Sequence, residues 1–128
     1  MAASESRCPF YRGKITGLES SKSTVPVPVV NLKNIISISL GANVSCAFSD
    51  EKQISCWGSN VYGQFKNETM EEELNAPVTI SSIGNVESIS AGAFHICALH
   101  QGDTVSCWGD NRYGQVGTDT LGDYVLAP

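Results

Sequence analysis

Short runs of Val, Ile, Phe and Cys, broken by Gly, Ser and Asn, cover most of this chain, and no segment keeps a helical period for three turns. The runs predict strands at Val27–Val30, Ile35–Leu40, Val44–Phe48 and Gln53–Trp57. A second set follows at Val78–Ile80, Val86–Ala91, His95–Leu99 and Thr104–Trp108. The two sets are the same pattern written twice. Ser55-Cys56-Trp57-Gly58-Ser59-Asn60-Val61-Tyr62-Gly63-Gln64 returns 51 positions later as Ser106-Cys107-Trp108-Gly109-Asp110-Asn111-Arg112-Tyr113-Gly114-Gln115. Cys46-Ala47 recurs as Cys97-Ala98, and Gly41-Ala42 as Gly92-Ala93. Pro26, Pro77 and Pro128 hold one offset. A fixed period of this size with four short strands per unit predicts an all-β repeat architecture built of propeller blades. The units run over 26–77 and 78–128, after a tail over 1–25. Small residues at Ser39, Gly41, Ala42 and at Ser90–Ala93 suit the crowded axis of such a ring.

At these residues the chain resembles the regulator of chromosome condensation repeat family. The resemblance rests on Gly41, Trp57-Gly58, Asn60, Gly63-Gln64 and Pro77, then on Gly92, Trp108-Gly109, Asn111, Gly114-Gln115 and Pro128. It implies a β-propeller, typically seven-bladed, of which two four-stranded blades form an incomplete, open ring. The family pattern continues with an apolar residue and Gly. Val116-Gly117 keeps it, whereas Phe65-Lys66 does not and requires another turn conformation there. Within the tail, Cys8 and Tyr11–Ile15 echo a worn preceding unit, with Pro9-Phe10 in place of Trp-Gly. The chain therefore reads as a fragment of a larger propeller, whose exposed blade edges invite association with other chains.

Five cysteines add a question of compartment. Cys46 and Cys56 bracket a polar tip at Ser49–Lys52, and Cys97 and Cys107 bracket His100–Asp103. Residues equidistant from a hairpin tip face one another with Cα atoms about 4.5–5.5 Å apart, which is disulfide range. A bridge closing so short a loop contributes about 2–3 kcal/mol and implies an oxidising compartment. Adjacent buried thiols in a cytosolic protein satisfy the same pattern. Zinc is the third reading, from His95, Cys97, His100 and Cys107. It lacks a C-x₂-C pair, and strand alternation sends successive residues to opposite faces. Cys8 is left over as a free thiol.

Charge and composition exclude more than they select. The 128 residues are 41% hydrophobic with net charge −5. Eight scattered basic residues do not make a nucleic-acid surface. There is no run long enough to span a membrane, and Met1–Arg7 lacks the apolar core of a signal peptide. No Ser-His-Asp set, phosphate loop or carboxylate pair emerges, so no enzyme and no cofactor is expected. Trp57 and Trp108 read as anchors between blades, and Asn60 and Asn111 as holders of the turn before Tyr-Gly. His95 and His100 replace Val44 and Ser49 of the other unit. Glu68, Glu71, Glu72 and Glu73 lie in a variable loop, where a binding surface would sit. Asn67 and Asn43 are candidate glycosylation sites, both within the acceptor sequon.

The expected function is a non-catalytic protein–protein interaction module. Paired cysteines resemble secreted and cell-surface members of the family, which places the parent protein outside the cell. The alternative is nuclear or cytoplasmic: nucleotide exchange on the small GTPase Ran with chromatin binding, as the resemblance to the name-giving member implies. The partner protein is not identified by the sequence.

Overall fold

The computed structural model describes residues 25–65, 73–81, 83–119 and 122–126. Eight strands form two antiparallel four-stranded sheets, each in sequential order. The first sheet holds β1 (Ile35–Leu40), β2 (Val44–Ser49), β3 (Ile54–Ser59) and β4 (Glu73–Ile80). The second holds β5 (Val86–Ala91), β6 (His95–His100), β7 (Thr104–Asp110) and β8 (Tyr124–Val125). Neither sheet closes on itself. Each is a meander, and the hairpins β1–β2, β2–β3, β5–β6 and β6–β7 are joined by connections too short for anything but antiparallel neighbours.

Two sequence-based strand assignments change. Val27–Val30 forms no strand; Pro26 and Pro28 supply no backbone donors there, and no described strand lies beside it. Val78–Ile80 does not open the second unit. It pairs with Ile54–Cys56 and ends the outer strand of the first sheet. Pro77 is accepted there because β4 is an edge strand of its sheet. The sequence period and the first sheet are thus offset: Pro77 lies within an outer strand, not at a blade's beginning.

The strands form where β-branched and aromatic residues cluster, and residues that tolerate a left-handed backbone join them. Asn34 (φ 52°) and Asn85 (φ 56°) precede β1 and β5, and their carbonyls accept Asp50 N–H and Gln101 N–H. Asn adopts this conformation at low steric cost. The core lies between the two sheets. Val44, Cys46, Phe48, Ile54 and Cys56 of the first meet Val86, Ile96, Ala98 and Trp108 of the second. All six residues of β2 are buried.

One face of the second sheet lacks such a cover. Phe48 and Ile54 are each 1% exposed, whereas their equivalents Leu99 and Val105 are 38% and 62% exposed. The same sequence positions are core in one blade and surface in the other, because burial here comes from the neighbouring blade. That is the behaviour of a stacked repeat.

Candidate functional site

The Trp-Gly-x-Asn-x-Tyr-Gly-Gln motif builds both the seam between the sheets and the loops that crown it. At Gly58 and Gly109 the backbone turns to φ 106° and 108°, a region that L side chains rarely adopt. A Cβ on Gly109 would also strike the Phe94 carbonyl and lie 2.8 Å from His95 Cα. Glycine is therefore required for β7 to pass the β5–β6 turn. In the loop that follows, Asn60 Oδ1 accepts Phe65 N–H at 2.9 Å and Asn111 Oδ1 accepts Val116 N–H at 3.3 Å. Gly63 N–H and Gly114 N–H return to the carbonyls of Asn60 and Asn111. Gln64 Oε1 accepts Tyr62 N–H and Gln115 Oε1 accepts Tyr113 N–H. Each loop is pinned by its own side chains in the same way, which is the turn-holding role expected of Asn60 and Asn111.

Trp108 ties the two units together. Its indole is fully buried, and Nε1–H donates to the Gln64 carbonyl at 2.7 Å. Gln64 is itself fully buried, and its Nε2 has no hydrogen-bond partner among the described residues. Trp57 is also buried but stands outside the core between the sheets. Between β1 and β5, Ser39 Oγ accepts Ala91 N–H at 2.8 Å, and a Cβ on Gly41 would collide with the Gly92 carbonyl. The small residues sit where β1 meets β5, as their size requires. Gly117 takes φ 74°; its counterpart Lys66 lies outside the described residues.

The cysteines pair as their spacing predicts. Cys46 is opposite Cys56 and Cys97 opposite Cys107, with Cα atoms 4.1 Å apart in each case, and both pairs are bridged. The bridges leave no zinc set. Cys97 is bound to Cys107, and His95 and Cys97 alternate with Ile96, Ala98 and His100 along β6. No group of three metal-binding side chains occurs among the described residues. His95 packs its ring into the space beside Gly92. His100 lies within 2.9 Å of the Gly84 carbonyl through Nδ1 and 3.0 Å of Ser106 Oγ through Nε2. A carbonyl only accepts, so Nδ1 carries the proton, and the imidazole latches the β4–β5 connection to β7. Asn43 ends the β1–β2 turn with its carbonyl accepting Ser59 N–H. Cys8, Asn67 and Glu68–Glu72 lie outside the described residues.

One cluster escaped sequence reading. Arg112 forms a two-point ion pair with buried Asp110, Nε to Oδ1 at 2.9 Å and the guanidinium NH₂ to Oδ2 at 3.0 Å. The guanidinium stands 4.7 Å from the Tyr62 ring centroid and 6.0 Å from that of Tyr113. Tyr62 meets Phe94 edge-on at 5.5 Å. The Arg112 hydrogen bonds hold the Asp110 carboxyl below its ordinary range against the opposing effect of burial, and Asp110 in turn raises Arg112. A signal did exist in the sequence: Ser59 and Val61 of the first unit become Asp110 and Arg112 together in the second. Around this cluster the loops expose Tyr113 (85%), Leu126 (61%), Val61 and Tyr124. At this end of the strands residues 60–65 and 111–119 form one rim, pinned by the buried side chains of Asn60, Gln64, Asp110 and Asn111.

Comparison with known proteins agrees with this architecture. The profile of the Regulator of chromosome condensation (RCC1) repeat matches residues 35–64 and 86–115, and a second profile of the same description matches 53–99. The serine/threonine-protein kinase Nek9 of Xenopus laevis is 31% identical over 99 residues, 75% of this chain and 10% of the kinase. The probable E3 ubiquitin-protein ligase HERC4 of Rattus norvegicus is 31% identical over 113 residues, 83% of this chain and 11% of the ligase. The chain thus spans about a tenth of the length of these relatives. The crystal structure of Prp20p from Saccharomyces cerevisiae superposes with a TM-score of 0.78 at 22% identity, over 91% of this chain and 28% of Prp20p. With two motif copies in register, the seam they build and these matches, the chain belongs to the regulator of chromosome condensation repeat family, as two blades of its β-propeller.

Proposed function

We propose that this chain is a non-catalytic protein–protein interaction module within a larger propeller, and that its parent works outside the cell or at its surface. The observation that carries the interaction reading is the rim. Its loops are held rigid by buried side chains, yet they present Tyr113, Tyr124 and Leu126 to solvent. Exposed aromatic residues on a preorganised surface lose little entropy on binding and dominate interface energetics. The bridges Cys46–Cys56 and Cys97–Cys107 support an oxidising compartment, since the pairing recurs in both units. Site-directed photo-crosslinking tests the interaction reading. A probe at position 113 should capture a partner in extracts of the source organism. Equal capture from a probe at position 51, on the opposite ends of the strands, would sink it.

The second reading is a nucleotide-exchange or chromatin-associated role. It is favoured by the likeness to Prp20p, whose structure is described together with binding to Gsp1p and histones. An assay of nucleotide release from a small GTPase of that kind separates the two readings, because clear acceleration would replace the first. Asn67 and Asn43 complete the extracellular reading as glycan acceptors; a mass shift on glycosidase treatment of the native protein tests both.

A further inference from the structure

We propose that the rim formed by residues 60–64, 111–119 and 123–126 docks a cationic, arginine-bearing peptide segment of its partner. The proposal rests on the interaction reading above and adds the partner's chemistry. Tyr113 is 85% exposed and Tyr124 is 53% exposed, and Leu126 closes over Gly63 beside them. These side chains belong to one surface: Tyr124 is paired with Asp110 across β7 and β8, and Asn111 N–H bonds the Asp123 carbonyl. The surface already shows how it receives a guanidinium, because Arg112 lies over Tyr62 at 4.7 Å. Tyr rings attract such cations through their faces.

Charge selects the sign of the partner. Asp110 is neutralised by Arg112. Glu73, Asp119 and Asp123 are exposed at the same ends of the strands, and none of them forms an ion pair among the described residues. Lys33 and Lys52 lie at the other ends. Among the described residues, the rim therefore carries more negative than positive charge beside open aromatic faces. A cation gains from both, whereas an acidic or membrane-phosphate ligand would be repelled.

The test is fluorescence anisotropy with a labelled peptide of alternating arginine and serine, and with its glutamate counterpart, on the full chain under non-reducing conditions. The arginine peptide should bind saturably, and the glutamate peptide should not. Tyr113→Ala should weaken binding about five-fold, the worth of one exposed cation–aromatic contact. Asp119→Asn/Asp123→Asn should weaken it about ten-fold at roughly 0.05 M salt and much less at about 0.3 M. Glu51→Gln/Asp103→Asn, which removes as many charges from the opposite ends, should leave it unchanged. Tyr113 makes no buried contact, so an unaltered unfolding midpoint is the expected control. Equal loss in the Glu51/Asp103 variant means attraction to net charge alone and overturns the proposal. So do binding of the glutamate peptide and self-association of the chain that Tyr113→Ala abolishes. Failure of the arginine peptide with continued crosslinking at position 113 would overturn the cationic partner and leave the interaction reading standing.

Discussion

Replacing Trp108 with Phe tests whether the seam between the blades is held as described. The substitution keeps an aromatic ring but removes the Nε1–H that donates to the Gln64 carbonyl at 2.7 Å. Both groups are in a fully buried part of the structure, so no water replaces the lost donor. A buried carbonyl left without its partner costs about 1–3 kcal/mol. The smaller ring leaves a partly filled cavity that adds about 1 kcal/mol. Trp108→Phe should therefore lose about 3 kcal/mol, a large part of the 5–15 kcal/mol typical of a domain. The assay is urea unfolding followed by circular dichroism without reductant. With a denaturant slope of about 1–3 kcal/mol per molar, the midpoint should fall by about 1–3 M. Val105→Ala provides the contrast, because Val105 is 62% exposed and should shift stability by less than about 0.5 kcal/mol. A Trp108→Phe loss no larger than that of Val105→Ala would refute the reasoning. The buried indole would then be filling space that the seam does not need.

Gly41→Ala should destabilise by about 1–3 kcal/mol, since its Cβ meets the Gly92 carbonyl, while Gly84→Ala, with nothing near its Cβ, should stay within about 0.5 kcal/mol; parallel urea curves separate them. Alkylation under denaturing, non-reducing conditions, read by intact mass on native protein, should find one reactive thiol, Cys8; five would remove the disulfides and with them the case for an oxidising compartment. Acid should reveal the Asp110–Arg112 pair. The folded Asp110 carboxyl titrates below its unfolded value of about 3.9, so its contribution is complete above that value and is lost as pH falls through the folded pKa. Melting temperatures of the wild type and Asp110→Asn should therefore differ by a constant amount above about pH 5 and converge below about pH 4; a gap independent of pH would show that the pair is not the cause.

Much of the molecule is local, and for that reason legible in the chain. Strand positions follow from runs of β-branched and aromatic residues. The cysteine pairing follows from equal distances to a hairpin tip, and the turn-holding role of Asn60 and Asn111 from a motif that closes on itself within five residues. The repeat itself identifies the family, because the same residues recur where the same backbone geometry must recur. Other features depend on which element lies beside which. Val27–Val30 and Val78–Ile80 have near-equal strand propensity, but a strand needs a neighbour to receive its hydrogen bonds, and only the latter has β3 at its side. Leu99 and Phe48 occupy one repeat position, yet the covering blade makes one surface and the other core. Arg112 and Tyr62 lie fifty residues apart in the chain and meet only because adjacent blades bring successive loops to one rim. Secondary structure and pairing within a blade were written in short-range patterns; burial, the seam and the candidate binding surface arise from contacts between blades, which no local pattern encodes.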